Sequence, residues 1–354
     1  MNVVVIRHSI RNRGGDRLIL DYLSFLVSKG HHVIYWTNEI NTSFHVEPKI
    51  QIRRIFFPGV IGTVIFTLFT KFRSDVVLVD LVVMSLFASV LNQGRVVYLA
   101  QDDDRTYYSL PLMRGFIELV FRVVFIFFKV KVIAVSEYLT GQLQKFSRQK
   151  IETISNGIDQ RIFHREDQSR FLVEKTTSMA VVLYARADFR KGLDVGIKSV
   201  EELARLKGIN GWELWIIGGG HVTVSVDGLK IKRWGFLKDD DLRAVFSAAD
   251  IYLLPSRHEG LSLLLLAALA CGCVVVGTKA ANILTNEQDG LICAVEDWRI
   301  LASNISRLMD DKGLFEKLKN GGQKLSERYS FRESCEQFEK EILLVANQQL
   351  PKRY

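Results

Sequence analysis

A single carboxylate, Glu259, precedes a Gly-Leu-Ser turn and a run of leucines and alanines in the stretch RHEGLSLLLLAALACG. A carboxylate in such a loop can hydrogen-bond sugar hydroxyls or stabilise positive charge that develops at an anomeric carbon. The backbone N–H groups of Gly260, Leu261 and Ser262 open the predicted helix, and helix starts are suited to phosphate groups. Ser262 can instead act only as the helix N-cap. His258 is at most a loop residue near such a ligand, because the histidines show no metal-binding spacing.

Two cations follow another predicted strand in the stretch YARADFRKGLD. Arg186 lies at the strand end, and Lys191 comes five residues later, just before a helix that begins at a glycine. Cations at a strand end beside a helix start are well placed to hold a diphosphate leaving group. The alternative is that both are ordinary surface charges, which is how we interpret Arg190 between them.

A glycine pair, Gly14 and Gly15, follows the first predicted strand in the stretch RNRGGDR, and Asp16 then opens a predicted helix. Glycines let the backbone approach a ligand closely, and the helix start offers free N–H donors to a phosphate. A simple tight turn explains the same two residues equally well.

A cluster of acids comes just past a predicted strand in the stretch VVYLAQDDDRTYY. The residues from Gln101 to Asp104 are therefore expected at the carboxyl edge of a sheet, facing the cleft from the acceptor side. Such acids can bind acceptor hydroxyls or take the proton of the attacking hydroxyl. The alternative is that they are solvated or cap the next helix.

The elements that position these residues alternate between short Val/Ile runs and amphipathic helices along the whole chain. Near-continuous apolar strands indicate parallel sheets that helices cover on both faces. The fold class is therefore α/β, with two Rossmann-like, doubly wound domains that face a cleft. We place the domains at residues 1–165 and 166–330. The last helix, within about 331–354, is a candidate to pack back on the first domain.

The length and the charge support this organisation. The chain has 354 residues, 48% of them hydrophobic, which suits two domains better than one core. The net charge is +8, and residues 1–170 hold 22 Lys/Arg against 15 Asp/Glu. This surplus suits an anionic membrane surface, a phosphorylated lipid or a nucleic acid, or else it only improves solubility. Nucleic acid is disfavoured, because no platform of stacking aromatic residues accompanies the charge.

Two strongly apolar stretches, residues 58–72 and 115–135, are too short in their uncharged runs to span a membrane. One or both can lie on a membrane surface with basic residues toward lipid phosphates, and we favour this for 116–129. Residues 130–135 read equally well as a buried strand. The four cysteines lack the CxxC spacing of a zinc site, and no secretory leader is evident, so we expect a reducing cytoplasm.

The chain as a whole resembles the retaining, nucleotide-sugar-dependent glycosyltransferases of the two-Rossmann (GT-B) fold, known as glycosyl transferases group one or family four. Each motif alone is weak, but all six occur in the family's order. They are the GG loop, VIAVSEYL…KIETISNGID, YARADFRKG, WELWIIGGG, DIYLLPSRHEGLSLLLLAALACG and NEQDGLIC.

The resemblance implies transfer of a sugar from a nucleotide diphosphate donor with retained anomeric configuration and without a metal or other cofactor. In the family, the residues that match Arg186 and Lys191 bind the donor diphosphate, and the one that matches Glu259 contacts the donor sugar. The glycine pair faces the phosphates from the other domain. The donor-binding set is Gly14, Gly15, Arg186, Lys191, Gly219, His258, Gly260, Leu261, Ser262 and Ala267. The catalytic set is Glu259, Asp102 and Asp104.

One position departs from the family's E-x7-E pattern. The family places a second Glu eight residues after the first, where it grips the ribose hydroxyls, but this chain has Ala267 there. The donor can carry a deoxyribose, as in dTDP-sugars; another group can hold the ribose; or the protein can be a weakened or inactive member. The YLAQDDD stretch resembles a subset that builds rhamnose-containing surface glycans, which fits the first of these.

We therefore expect a retaining, metal-independent hexosyltransferase that uses a dTDP- or UDP-type donor in surface polysaccharide synthesis. Its acceptor is expected to be a saccharide or lipid-linked glycan, at the inner face of the cell membrane. The alternative is a catalytically weak or inactive subunit that binds partner proteins or membrane.

Overall fold

The computed structural model describes residues 1–172, 174–219 and 224–348. The described chain divides into one unit of residues 1–156 with 332–348, and a second unit of residues 157–331. The change of unit thus comes nine residues before the expected position at 165. The reason is local, because the amide of Ile158 donates to the Tyr329 carbonyl and the Arg243 guanidinium donates to the Ile162 carbonyl. Within the expected terminal segment 331–354, residues 349–354 lie outside the described residues.

The first unit is built from short strands and five helices before residue 156. Its strands are β1 (Asn2–Ile6), β2 (Ser9–Arg11), β3 (His32–Thr37), β4 (Glu39–Asn41), β5 (Gln51–Arg54), β6 (Val76–Val79), β7 (Val96–Ala100), β8 (Lys131–Ala134) and β9 (Glu152–Thr153). Its helices are α1 (Gly14–Ser28), α2 (Gly59–Phe69), α3 (Val82–Asn92), α4 (Pro111–Phe127) and α5 (Glu137–Gln144).

Seven of these strands form one parallel sheet in the order β5-β3-β1-β6-β7-β8-β9, and β2 and β4 form a small parallel pair. The strand order reverses between β1 and β6, and ligands of doubly wound sheets bind at such a switch point. The four residues of β6 and the five of β7 are all buried, as their apolar sequences predict.

The second unit repeats the same architecture. Its strands are β10 (Met179–Tyr184), β11 (Trp212–Ile217), β12 (Ile231–Gly235), β13 (Ile251–Leu254), β14 (Val274–Thr278) and β15 (Leu291–Cys293). Its helices are α6 (Leu193–Lys207), α7 (Asp239–Ala248), α8 (Leu263–Ala270), α9 (Trp298–Asp310) and α10 (Lys312–Ser326).

The six strands of the second unit pair in parallel in the order β12-β11-β10-β13-β14-β15, with the switch point between β10 and β13. A core of Val, Leu and Ile from the strands packs against α6 and α9. The predicted fold class, α/β with two Rossmann-like units and parallel sheets, is confirmed.

The last helix, α11 (Phe331–Asn347), packs on the first unit. The ring of Phe338 stacks on Tyr22 of α1 with centroids 4.3 Å apart, and the Tyr22 hydroxyl lies 2.7 Å from Ser334 Oγ. Lys131 of β8 forms an ion pair of 2.5 Å with Glu341. An aromatic stack and a buried hydrogen bond to α1, together with an ion pair to β8, therefore hold this helix to the first unit.

The apolar segment 115–135 divides into the end of α4 and the strand β8, and the buried-strand interpretation of residues 130–135 is confirmed. Across the described ranges, no helix combines the length and the apolar character needed to cross a membrane.

Candidate active site

Lys191 and Glu259 meet at the switch point of the second sheet. Strands β10 and β13 run in parallel with Leu183 beside Leu253, and the two side chains lie in the loops that follow these strands. The Lys191 Nζ lies 2.8 Å from Glu259 Oε2. The side chains are only 19% and 7% exposed, so this ion pair is largely shielded from water. A shielded charge pair of this kind is stronger and more sharply oriented than one on the surface.

Further hydrogen bonds fix the Glu259 loop. Ser256 Oγ, which is buried, donates to Glu259 Oε1 over 2.7 Å, so both carboxylate oxygens have partners. The Asn282 side-chain amide donates to the carbonyls of Glu259 and Gly260 over 3.1 and 2.9 Å. Thr278 Oγ1 donates to the Ser256 carbonyl. The carboxylate therefore stands in one orientation before any ligand arrives, which electrostatic catalysis requires.

A tight contact between two loops places Lys191. The residue ends a single turn of 3₁₀ helix, Phe189–Lys191, and Gly192 follows with φ of 61°. A Cβ on Gly192 would collide with the carbonyl oxygen of Pro255 in the Glu259 loop. Only glycine allows both this left-handed conformation and this approach.

Arg257, which the sequence analysis did not single out, ties the two loops together. Its guanidinium donates to the Phe189 carbonyl over 2.8 Å and to both oxygens of Asp194 over 2.8 and 2.7 Å. It also binds Glu296 and lies 4.0 Å from the centre of the Phe189 ring. Arg257 is 8% exposed, and its hydrogen bonds hold the pKa of Asp194 below its usual value.

Arg186 and Arg190 both contact the carboxylate of Asp188. Arg190 donates to both oxygens of Asp188 over 3.1 and 2.8 Å, and its side chain is 13% exposed. The interpretation of Arg190 as a solvated charge is therefore wrong, because Asp188 orders it inside the loop. Arg186 lies 3.6 Å from the same carboxylate and is 26% exposed, so it holds the looser of the two contacts.

The residues after Glu259 are arranged mostly for structure. Helix α8 begins at Leu263, and the Ser262 hydroxyl accepts from the Leu265 amide as its N-cap. Leu261 and Gly260 are buried, and half-buried His258 donates its amide to the Arg190 carbonyl over 3.3 Å.

The two remaining donor positions of the second unit offer no side-chain polar atom. Ala267 is 1% exposed, so a buried methyl group stands at the position where the family pattern has an acid. Gly219 lies just beyond the end of β11 and is exposed.

In the first unit, Gly14 and Gly15 form the first turn of α1, which begins two residues earlier than predicted. Gly14 is exposed, with no heavy atom close to the place a Cβ would take. A Cβ on Gly15 would overlap the side-chain amide of Gln101, which follows β7. Gln101 therefore covers the helix start only because residue 15 is glycine.

The acids after β7 do not share one role. Asp104 is 3% exposed, and its Oδ2 accepts from the Val82 amide at the start of α3 over 2.6 Å. Burial raises the pKa of this carboxyl well above its usual value, although the Val82 amide acts in the opposite direction. Its assignment as an acceptor-facing catalytic acid is therefore corrected to a cap on α3. Asp102 is half-buried, and its Oδ1 accepts from the Asp103 amide over 2.9 Å.

A buried charge cluster that the sequence analysis missed occupies the switch point of the first sheet. Arg7 follows β1 and Asp80 follows β6, with Arg7 Nε 2.7 Å from Asp80 Oδ2. Arg7 also lies 2.5 Å from Asp16 of α1. The sequence shows that Arg7 and Asp80 each follow a predicted strand. It does not show that these two strands are neighbours in the sheet, so the ion pair could not be predicted. In the part of the chain that the structure describes, no group of His, Cys, Asp and Glu is arranged to hold a metal ion.

The two units, each a doubly wound parallel sheet, have the architecture of the two-Rossmann (GT-B) fold. The family model described as "Glycosyl transferases group 1" matches residues 179–311, which run from β10 to the end of α9. The predicted resemblance to the group 1 glycosyltransferases is therefore confirmed. The matches do not distinguish the rhamnose-glycan subset, which stays a prediction.

Two curated relatives match about half of this chain at 26–28% sequence identity. The N-acetyl-alpha-D-glucosaminyl L-malate synthase of Bacillus anthracis is 28% identical over 52% of this chain and 51% of its own length. The putative colanic acid biosynthesis glycosyltransferase WcaL of Escherichia coli is 26% identical over 49% of this chain and 46% of its own. The chain thus spans about half the length of these relatives.

Solved structures resemble the chain over nearly its full length. Sucrose-phosphate synthase from Thermosynechococcus elongatus has a TM-score of 0.81 at 15% identity, covering 99% of this chain and all of its own. Anabaena HepE in complex with UDP and glucose has a TM-score of 0.75 at 15% identity, covering 97% of this chain and 99% of its own. At these identities the likeness concerns the fold alone.

Proposed function

We propose that this chain transfers a sugar, with retention of anomeric configuration, from a nucleotide diphosphate sugar to a glycan acceptor. The observation that carries the proposal is the shielded Lys191–Glu259 pair at the switch point of the second sheet, inside the region that matches the family. A cation and a carboxylate 2.8 Å apart offer one group to a departing diphosphate and one to the sugar that it leaves.

In this proposal the leaving group needs no metal ion. Positive charge for the diphosphate comes from Lys191 and from Arg186, whose contact to Asp188 is loose at 3.6 Å. Glu259 accepts hydrogen bonds from donor-sugar hydroxyls and stabilises positive charge at the anomeric carbon. No side chain is assigned as a covalent nucleophile.

The acceptor contact is assigned to Asp102 rather than Asp104, because Asp104 is buried under α3. Asp102 would bind an acceptor hydroxyl or receive its proton. The acceptor is proposed to be a lipid-linked glycan at the cytoplasmic face of the membrane. WcaL, named for colanic acid biosynthesis, supports a role in polysaccharide synthesis.

The donor is proposed to be of UDP or dTDP type. HepE, whose structure contains UDP and glucose, supports the first. The buried methyl of Ala267 supports the second, because it offers no partner to a ribose hydroxyl. The same methyl also favours one other function, a catalytically silent subunit that binds partner transferases or membrane.

A donor screen tests the proposal. The protein is incubated with UDP-, GDP- and dTDP-sugars and a lipid-linked glycan extract, and released nucleoside diphosphate is measured. Release that depends on both donor and acceptor supports the transferase. No release with any donor, alongside a correctly folded protein, favours the silent subunit.

A further inference from the structure

Helix α2 buries a glycine and polar threonines and exposes large apolar side chains. Its buried positions are Gly62, Thr63 and Thr67, while Ile61 and Phe69 are 76% and 74% exposed. The two threonine hydroxyls bond to backbone carbonyls one turn back along the same helix, so they are satisfied without water. A helix on the surface of a soluble protein normally buries its apolar side chains and exposes its polar ones. This one is suited to surroundings that are less polar than water.

Helix α4 exposes a second apolar stripe. Ile117, Phe121 and Val124 are buried against the sheet, whereas Leu112 and Phe127 are 85% and 72% exposed. Between them, Phe116 and Leu119 are 50% and 57% exposed at helical spacing. The helix is therefore apolar on the side that faces the core and on the side that faces away from it.

The two stripes belong to one side of the first sheet. Helix α3 packs against α2 and against α4, so the three helices lie side by side. Leu81 and Val90 of the middle segment are 37% and 52% exposed. We call the exposed apolar residues of these three helices the α2–α4 face. Exposed apolar residues on three adjacent helices indicate an interaction site.

Exposed basic residues flank the helices of this face along the chain. Arg54 and Lys71 flank α2, Arg73 follows it, and Lys129 follows α4; all four are exposed. Within the described residues none of the four forms an ion pair with an acid. The acids between residues 55 and 130 are engaged in the fold, as in the pairs of Asp80 with Arg7 and of Glu118 with Arg105.

We propose that the α2–α4 face docks on a bilayer containing anionic lipids. The apolar side chains enter the region between headgroups and acyl chains, and the flanking Lys and Arg bind lipid phosphates. An apolar surface flanked by exposed basic residues matches an anionic bilayer in both respects.

The docking rests on the proposed function and specifies where its lipid-linked acceptor arrives. Helices α2 and α4 begin after the carboxyl ends of β5 and β7, so Phe57 and Leu112 lie toward the sheet edge that also carries Asp102. A glycan on a lipid carrier would therefore reach this edge from the bilayer on which the same unit is seated.

Co-sedimentation with vesicles tests the docking. Vesicles of phosphatidylcholine are compared with vesicles that also contain phosphatidylglycerol. We expect binding that requires phosphatidylglycerol, weakens as salt is raised, and falls about tenfold in the double variant Ile61→Ser with Phe69→Ser. The double variant Lys71→Gln with Arg73→Gln should lose the preference for the anionic lipid.

The control is Ile300→Ser, which removes a 44% exposed apolar side chain from α9 of the second unit and should leave vesicle binding unchanged. Each variant is also melted with and without nucleoside diphosphate, because donor binding should persist when docking is lost. Failure of all proteins to sediment with either vesicle overturns the docking, as does equal binding by wild type and the α2 variant. A dimer in sedimentation velocity that the α2 variant abolishes, without vesicle binding, overturns it in favour of a second copy.

Discussion

Lys191 Nζ and Glu259 Oε2 lie 2.8 Å apart although 68 residues separate them in the chain. Strand pairing brings them together, because β10 and β13 are neighbours whose carboxyl ends meet at the switch point. Glu259 also accepts from Ser256, so each group of the pair is oriented by the protein itself. Such preorganisation lets the charges act in the transition state without first being rearranged.

Replacing Glu259 by Gln tests whether this side chain contacts the donor sugar rather than the diphosphate. Glu259→Gln keeps the shape and one hydrogen bond to Ser256 but removes the charge. We expect turnover to fall about 100-fold, in the range seen for lost electrostatic stabilisers. Affinity for the free nucleoside diphosphate should stay within about threefold, because the carboxylate contacts the sugar. Equal losses in turnover and in diphosphate affinity would contradict this division.

The buried methyl of Ala267 leads to a prediction about the ribose. UDP and dUDP differ only in the 2′-hydroxyl, and a hydrogen bond from it to a carboxylate would be worth about 10-fold or more in affinity. Because Ala267 stands where the family has the second Glu, no carboxylate is present there. We therefore expect calorimetry to give dissociation constants for UDP and dUDP that agree within about threefold. A loss of more than about tenfold for dUDP would mean that another group holds the ribose.

Arg257 is predicted to be a positioning residue for Lys191. Arg257→Gln removes the bonds to Asp194, Glu296 and the Phe189 carbonyl. We expect the KM for the donor to rise about tenfold while kcat changes less, since the displaced group binds diphosphate. Arg161→Gln, which breaks an exposed pair with Asp159, is the matched control and should change neither.

The stability difference between wild type and Arg257→Gln is expected to depend on pH. Arg257 lowers the pKa of Asp194, so its stabilisation is present above the unfolded value near 3.8 and is lost as the pH falls through the lower folded pKa. Urea midpoints of wild type and Arg257→Gln should therefore differ at neutral pH and converge in acid. A difference that is constant with pH would show that the charge pair is not its source.

Asp104 should behave as a structural cap whose pKa is raised. Because the folded carboxyl holds its proton above the unfolded value of 3.8, the wild type loses stability as the pH rises from that value toward the folded pKa. Asp104→Asn keeps an acceptor for the Val82 amide and cannot ionise. We expect its melting temperature to fall less than that of wild type as the pH is raised above 3.8. Loss of acceptor turnover with unchanged stability would restore a catalytic role.

Periodicity and strand-end position predicted the parts of the molecule that depend on local sequence. The buried Val/Ile runs are strands, and the Lys191 and Glu259 loops follow two of them, because consecutive apolar residues favour the interior of a parallel sheet. The partners of Arg257 are 39 and 63 residues away, and nothing local indicates them. Asp104 was expected to be accessible because acidic side chains are usually exposed to solvent. In the structure, the start of α3 covers it, and the Val82 amide donates to its carboxylate.

Helix α2 shows a different limit. Its sequence is apolar throughout, and hydropathy alone does not tell which side faces the sheet. The buried glycine and threonines became visible only when the helix was seen packed against α3.

The central claim is that the switch point of the second sheet binds a nucleoside diphosphate through Lys191, and isothermal titration tests it most directly. Wild type, Lys191→Met and Lys175→Met are titrated with UDP, GDP and dTDP. Lys175 forms a comparably shielded pair of 2.5 Å with Asp250 and is assigned no ligand. We expect one-to-one binding of at least one diphosphate, weakened about 10- to 100-fold in Lys191→Met and unchanged in Lys175→Met. Absence of binding by the folded wild type, or equal affinity in wild type and Lys191→Met, would contradict the account.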